Sequence, residues 1–315
     1  MHTLEPECLE MHAAGLVDDL AASRAVALER GEIFPVHGEI RFALYAAVAA
    51  ITSGIGILLK ANFDRIGPLS LMIGLAIVAA LCYATAIRTH LRHETRSIGG
   101  DYVLLLGALI VSADLGYAES QFHWLGPYWS WHLLILATIH ALAAYALDSR
   151  LVLSVSLTAL AAWFGIDAHA NTLLRQDGSL RDSGAQALVC GAAILGWREL
   201  HRRLGGRAAF EEVFEHFAAN VAFWGALALT FGDGSRLAGA AALLAIAALT
   251  IAKGLRQRQE PFVVYGVGYT ALGLCYLAAR FAGDGLPAAV LCLVIVTGAA
   301  ILLWRFHAQI RAAAT

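Results

Sequence analysis

Ten apolar runs dominate this chain, at about residues 42–60, 67–87, 101–119, 128–147, 151–168, 184–199, 214–231, 236–254, 262–281 and 286–306. A helix needs about 20 apolar residues to cross a bilayer, with roughly 17–25 as the usual range. In hydrocarbon the backbone must satisfy its own hydrogen bonds. The runs are continuous rather than alternating, so each predicts a helix and not a barrel strand. Hydrophobic residues make up 59% of the 315 and charged residues 15%, against roughly 25% charged in soluble domains. That balance excludes a disordered chain. The formal net charge of −2 leaves no bulk basic surface for nucleic acid.

The sixth run is the shortest, with its apolar part confined to Gly184–Trp197. The basic residues argue for keeping it as a span. With ten spans and the N-terminus inside, sixteen of the 22 basic residues face the cytoplasm and six (Lys60, Arg65, Arg175, Arg181, Arg236 and Arg280) face out. Positive charge resists translocation, so this asymmetry orients the chain. Removing the sixth span would flip every later loop and erase most of it. The expected fold is therefore an all-α polytopic transmembrane helical bundle of about ten spans with both termini cytoplasmic. Residues 1–40 form an acidic N-terminal helical segment, 41–308 the transmembrane domain and 309–315 a tail. Glu5, Glu7 and Glu10 stand where a signal peptide carries its basic residues, so no signal peptide is read. Arginine far outnumbers Lys60 and Lys253, a bias that with the many alanines fits a GC-rich bacterium and hence its inner membrane.

A repeated turn joins outgoing and returning spans. Phe63-Asp64-Arg65-Ile66-Gly67-Pro68 and Phe122-His123-Trp124-Leu125-Gly126-Pro127 both read Phe-x-x-x-Gly-Pro, and Phe281 to Pro287 is a variant. Glycine frees the turn, proline suits the first position of the next helix, and the aromatic suits the interface. The bundle is thus expected to consist of repeated helical hairpins. In residues 1–40, Leu4, Leu9, Leu16 and Leu20 offer a modest apolar stripe that Gly15 divides. This segment reads as a cap on the bundle or as a docking module for a protein partner. The cysteines Cys8, Cys82, Cys190, Cys275 and Cys292 make no CxxC or metal pattern and read as small apolar packing residues; their odd count argues against a disulfide framework.

Three tracts carry a family resemblance. They are Gly15-Leu16-Val17, the stretch from Arg41 to Ser70 with Lys60-Ala61-Asn62-Phe63, and Gly100-Asp101-Tyr102 followed by Gln121-Phe122-His123-Trp124. Their order over roughly residues 5–165 resembles the bacterial membrane family catalogued as domain of unknown function 2157. The resemblance implies a multi-span membrane protein. That family brings no established activity with it.

Ionisable residues inside a span are costly and point to function. Asp114 lies thirteen residues past Asp101, about 20 Å along a helix, and reads as a solute- or proton-binding carboxylate, or as a partner for a neighbouring helix. Glu119 and His123 are spaced i, i+4 and would share a face if the helix continues. His132 and His140 lie in the fourth run, about 80° apart around a helix. Together with Asp114 they could form a polar seam between the third and fourth spans. A metal could use such groups, but no HExxH or clustered signature occurs, so no metal, cofactor or catalytic residue is assigned. Asn62, Asp64 and Arg65, and Asp167, His169 and Asn171, read as turn chemistry. Arg280 reads as a snorkelling side chain, with a lipid or anion contact as the alternative. Tyr128, Trp124, Trp129 and Trp131 read as interfacial anchors, and Arg202-Arg203-Leu204-Gly205-Gly206-Arg207 as a positive-inside loop.

Three functions compete. A small-solute transporter or permease fits ten spans with an intramembrane acid, although no proline breaks a span interior. A non-catalytic sensor, scaffold or complex subunit fits the segment 1–40. An intramembrane enzyme acting on a lipid-linked substrate comes third. The expected partners are membrane lipids, a small solute and a protein docked on residues 1–40, with no nucleic acid.

Overall fold

The computed structural model describes residues 11–12, 18–19, 22–23, 37–62, 67–92, 98–173, 180–232, 234–283 and 285–312. Most of residues 1–40, with the docking role read for them, lie outside these, as does the turn 63–66. The side chains of Asp167, His169 and Asn171 are likewise outside the described set.

Ten long helices occur among the described residues, one for each apolar run. They are α1 (His37–Asn62), α2 (Pro68–Arg92), α3 (Ile98–Phe122), α4 (Trp131–Leu147), α5 (Arg150–Leu173), α6 (Leu180–Arg203), α7 (Ala208–Phe231), α8 (Arg236–Gln257), α9 (Glu260–Ala282) and α10 (Leu286–Ala312). No strand occurs among the described residues. Six helices, α1 to α3 and α8 to α10, are long and apolar enough to cross a membrane. The apolar stretches Trp131–Leu147 and Arg150–Gly165 are shorter. α6 and α7 carry charges at their ends. The chain is a helical membrane bundle.

The turns follow from local chemistry. Pro68 opens α2 and Pro287 is the second residue of α10. In the Phe122 turn the proline does not open the next α-helix, as the repeat suggests. Gly126 adopts φ +55° and Pro127 enters a single 3-10 turn, Gly126–Tyr128, before α4 starts at Trp131. Tyr128, Trp129 and Trp131 of this turn are exposed. At the other end of α4, Asp148 ends the helix in the left-handed region (φ 53°) and its N–H bonds the Ala144 carbonyl.

α1 falls in one compact unit and α2 to α10 in a second. α1 exposes Phe42, Tyr45, Ile51 and Ile57, as a lipid-facing helix does. Within the second unit, neighbours in sequence pack as antiparallel pairs, α2 on α3, α4 on α5, α6 on α7 and α8 on α9. α7 is the central helix, packed by α5, α6, α8 and α9. Its Phe210, Phe214, Phe223, Ala226, Leu227 and Thr230 are fully enclosed. Tyr269 of α9 stacks on Phe223 at 4.7 Å and donates its hydroxyl to Asn220 at 2.9 Å.

The short sixth run is secured by this packing. Positions seven apart on α6, namely Gly184, Gly191 and Arg198, meet Gly225, Ala218 and Glu211 on α7. A methyl group on Gly184 would sit 2.8 Å from the Gly225 carbonyl oxygen, and one on Gly225 would sit 2.8 Å from the Gly184 oxygen. Only hydrogen fits at either position. The same spacing repeats along an antiparallel coiled-coil seam, and close approach of small residues is how helices associate in lipid.

Gly225→Val should therefore lower the stability of the detergent-solubilised protein by about 1–3 kcal/mol through overpacking. Gly196 of the same α6 has open space around it. Gly196→Ala should be neutral or slightly stabilising. Thermal unfolding followed by circular dichroism separates the two.

Candidate functional site

The polar groups expected at mid-membrane lie on α3, α4 and the turn between them. α3 carries Ser112, Asp114 and Glu119, and α4 carries His132 and His140. His140 is fully enclosed, and its Nε2 lies 2.8 Å from the Ser112 hydroxyl. That hydroxyl is 3.0 Å from the Ala108 carbonyl, which accepts its proton. A hydroxyl has one proton, so the His140 Nε2–H then donates to Ser112. This fixes the tautomer and leaves the buried Nδ1 lone pair with no hydrogen-bond partner. Serine and histidine thus form a polar cross-link between α3 and α4. One helix further on, Ser156 of α5 donates to the Ala137 carbonyl of α4 at 2.6 Å.

Asp114 lies two residues from Ser112, about 200° around the helix, and is half-buried. Its Oδ1 is buried and accepts no hydrogen bond. No bond joins Asp114 to His132 or His140 among the described residues. The expected seam is therefore a Ser112–His140 link with Asp114 nearby in sequence but unattached.

The other expected residues have separate tasks. α3 stops at Phe122, so Glu119 and His123 do not continue on one helical face. His123 adopts φ +46° and its side chain is exposed. Glu119 is buried, and its Oε2 accepts the Leu125 backbone N–H at 3.3 Å, which pins the turn. His132 turns back to the Trp129 carbonyl and stacks on the Trp129 ring at 6.0 Å. Trp131 packs edge-on against Tyr128 and against Trp163 of α5, each at 6.5 Å. Arg280 is exposed near the end of α9. Among the described residues no group of three or more His, Cys, Asp or Glu could hold a metal ion.

A second polar assembly lies at the opposite ends of these helices. Arg198 of α6 pairs with Glu211 at 3.0 Å and with Glu215, both on α7. Glu215 is 9% exposed and also pairs with Lys253 of α8. Lys253 sits 4.7 Å over the Phe262 ring of α9, and His216 stacks on that ring at 4.6 Å. Arg207 pairs with Asp148 at 3.0 Å, and Arg150 of α5 approaches Glu212 at 3.7 Å. His201, 5% exposed, accepts the Tyr145 hydroxyl at Nδ1 (2.9 Å) and donates from Nε2 to the Arg207 carbonyl (3.0 Å). Its ring lies over Gly206, where a Cβ would come within 2.2 Å of it. The result is a collar of ion pairs joining the same ends of α4 to α8.

In the sequence, Arg198, Arg207 and Lys253 count only among the basic residues whose asymmetry orients the chain, which names no partner for them. One signal was available. Glu215, Arg198 and Lys253 fall just inside the ends of three expected spans on one side, where lone charges are costly. Glu211 and Arg198 also continue the seven-residue spacing of the α6–α7 seam.

These features define a polytopic helical membrane protein with two polar regions, one within the bilayer and one at the bundle end. Residues 10–153 match the family model described as predicted membrane protein (DUF2157). The resemblance read over roughly residues 5–165 is met by that match. No curated protein and no solved structure matches the chain.

Lys253→Met removes one of the two cations at Glu215 and should cost about 1–3 kcal/mol, less than a fully buried pair because the lysine is partly exposed. Adding Glu215→Leu to Lys253→Met should recover part of the loss. A double-mutant cycle on unfolding midpoints in detergent checks this, and additive effects would mean that the two side chains are not coupled.

Proposed function

We propose that the chain is a small-solute transporter or permease-like protein of the bacterial inner membrane, with Asp114 as its intramembrane acid and the Ser112–His140 pair beside it. The observation that carries this reading is the buried Asp114 Oδ1 without a hydrogen-bond partner in the apolar helix α3. A carboxylate held this way is expensive in a membrane and is retained where a proton, cation or solute uses it. His140 supplies a second unsatisfied atom, Nδ1. The orientation we infer puts both termini in the cytoplasm, from the distribution of basic residues, and then puts the ion-pair collar at the cytoplasmic ends. Arg280 would face the opposite leaflet and meet lipid headgroups.

A sensor or scaffold is the second reading. The collar favours it, because five helix ends tied by ion pairs resist relative movement at that side. On this reading residues 1–40 carry the protein partner.

Water access distinguishes the two. Single cysteines replace Asp114, His132 or His140 in a chain freed of its five native cysteines, with an exposed loop cysteine as control. A membrane-impermeant thiol reagent is applied to intact cells and to inverted vesicles. Transport requires labelling at position 114 from at least one side, and labelling at 140 from the same side. Protection of all three positions from both sides, in inserted and folded protein, overturns the transport reading and leaves the scaffold.

A further inference from the structure

Cys275 of α9 and Cys292 of α10 face each other across the α9–α10 crossing. The Cys275 thiol points at the Cys292 carbonyl at 3.9 Å, and the Cys292 thiol points at the Cys275 carbonyl at 3.6 Å. Such reciprocity occurs only where two antiparallel backbones run level at that pair. Cys275 lies seven residues before the end of α9 and Cys292 six residues after the start of α10, so both sit about 10 Å from the connecting turn. Cys190 is by contrast buried in the core cluster around α7.

α10 gives the pair a purpose. It packs on α9, while Leu286, Leu293, Val294, Val296, Leu302 and Trp304 are exposed. An apolar groove of about 390 Å³ runs along this side between α8, α9 and α10, lined by Ala247, Val267, Leu274, Ile295 and Gly298. Incomplete packing at that seam leaves α10 more weakly held than the enclosed α7. A covalent link at 275–292 would close a short loop and restrict the separation of the two helices.

We propose that Cys275 and Cys292 are a cross-linking pair whose disulfide staples α10 to α9. In forming it, two S–H bonds break and one S–S bond forms. The two electrons and two protons pass to dioxygen, an apolar oxidant that partitions into the bilayer, and dioxygen leaves as hydrogen peroxide. The proposal uses only the α9–α10 contact and is independent of the role of Asp114. On the orientation inferred above, the pair lies nearer the outer face, the side where disulfides persist in bacteria.

The chain itself supplies the assay, because Arg280 lies between the two cysteines and is exposed. Membranes holding the full-length protein are treated in air with copper phenanthroline as catalyst, then alkylated, denatured and digested with trypsin without reductant. The expected product is peptide 259–280 joined to peptide 281–305, lighter by two hydrogens than the separate pair, arising from monomeric protein on a non-reducing gel. Reduction should separate them. Oxidised wild-type protein should then unfold at higher temperature than reduced protein, and Cys292→Ala should show no such shift. Recovery of both peptides singly alkylated, from folded and inserted protein, overturns the proposal. So does a link that appears only in dimers.

Discussion

The crossing of α6 and α7 is the contact on which the rest of the bundle depends. In lipid, helices gain nothing by hiding apolar side chains from water, so they associate through close packing and polar contacts. Gly184 and Gly225 let the two backbones meet, and Gly191 with Ala218 extends the seam. This places α7 in the centre, where its phenylalanines pack against α5 and α6 on one side and its Phe223 stacks with α9 on the other. The Arg198–Glu211 and Arg198–Glu215 pairs finish the same seam at its polar end. One seven-residue repeat therefore sets the spacing of the helices and the place where the charges collect.

Helix positions were legible in the sequence because length and apolarity determine them one run at a time. At the sixth run the charge asymmetry argued for a crossing, and the structure gives a helix there, α6, that is not among the six long and apolar enough to cross by themselves. The relations between helices were harder to read. Glu119 and His123 have the spacing of a shared face, but the spacing holds only while the helix continues, and α3 ends at Phe122. His132 and His140 belong to one helix, yet one is drawn to the turn by Trp129 and the other to α3 by Ser112. Partners such as Lys253 for Glu215, or Tyr145 for His201, are far apart in the chain. No local pattern reveals them until the rotation of each helix is known.

The polar side chains divide by what they satisfy. Glu119, His132 and His201 hold turns and helix ends, and each has a backbone partner. The collar residues hold one another. Among the site residues expected on α3 and α4, what remains is the Ser112–His140 link and the carboxyl of Asp114. A site sought by counting ionisable residues would have mixed these groups. Separating them by hydrogen-bond partner leaves Asp114 as the one expected site residue on α3 whose carboxyl is not engaged in holding the fold.

The collar also sets how much of each helix can lie in hydrocarbon. Charged side chains extend along α7 as far as Glu215, so its uncharged stretch is 216–231, about 24 Å. The apolar part of α6 is about 21 Å, α4 is about 25 Å and the uncharged stretch of α8, 237–252, is about 24 Å, whereas the uncharged stretches of α9 (261–279) and α10 (286–304) reach about 28 Å by the same measure. A typical hydrocarbon core is about 30 Å thick. Val189, Leu195 and Leu142 are exposed on the short helices, so lipid meets the protein there as well as along α10. A bilayer that matches these lengths is compressed beside α4, α6 and α8 and close to its ordinary thickness beside α9 and α10. A protein with such a profile favours the thinner regions of a bilayer, and neighbours of matching height beside it.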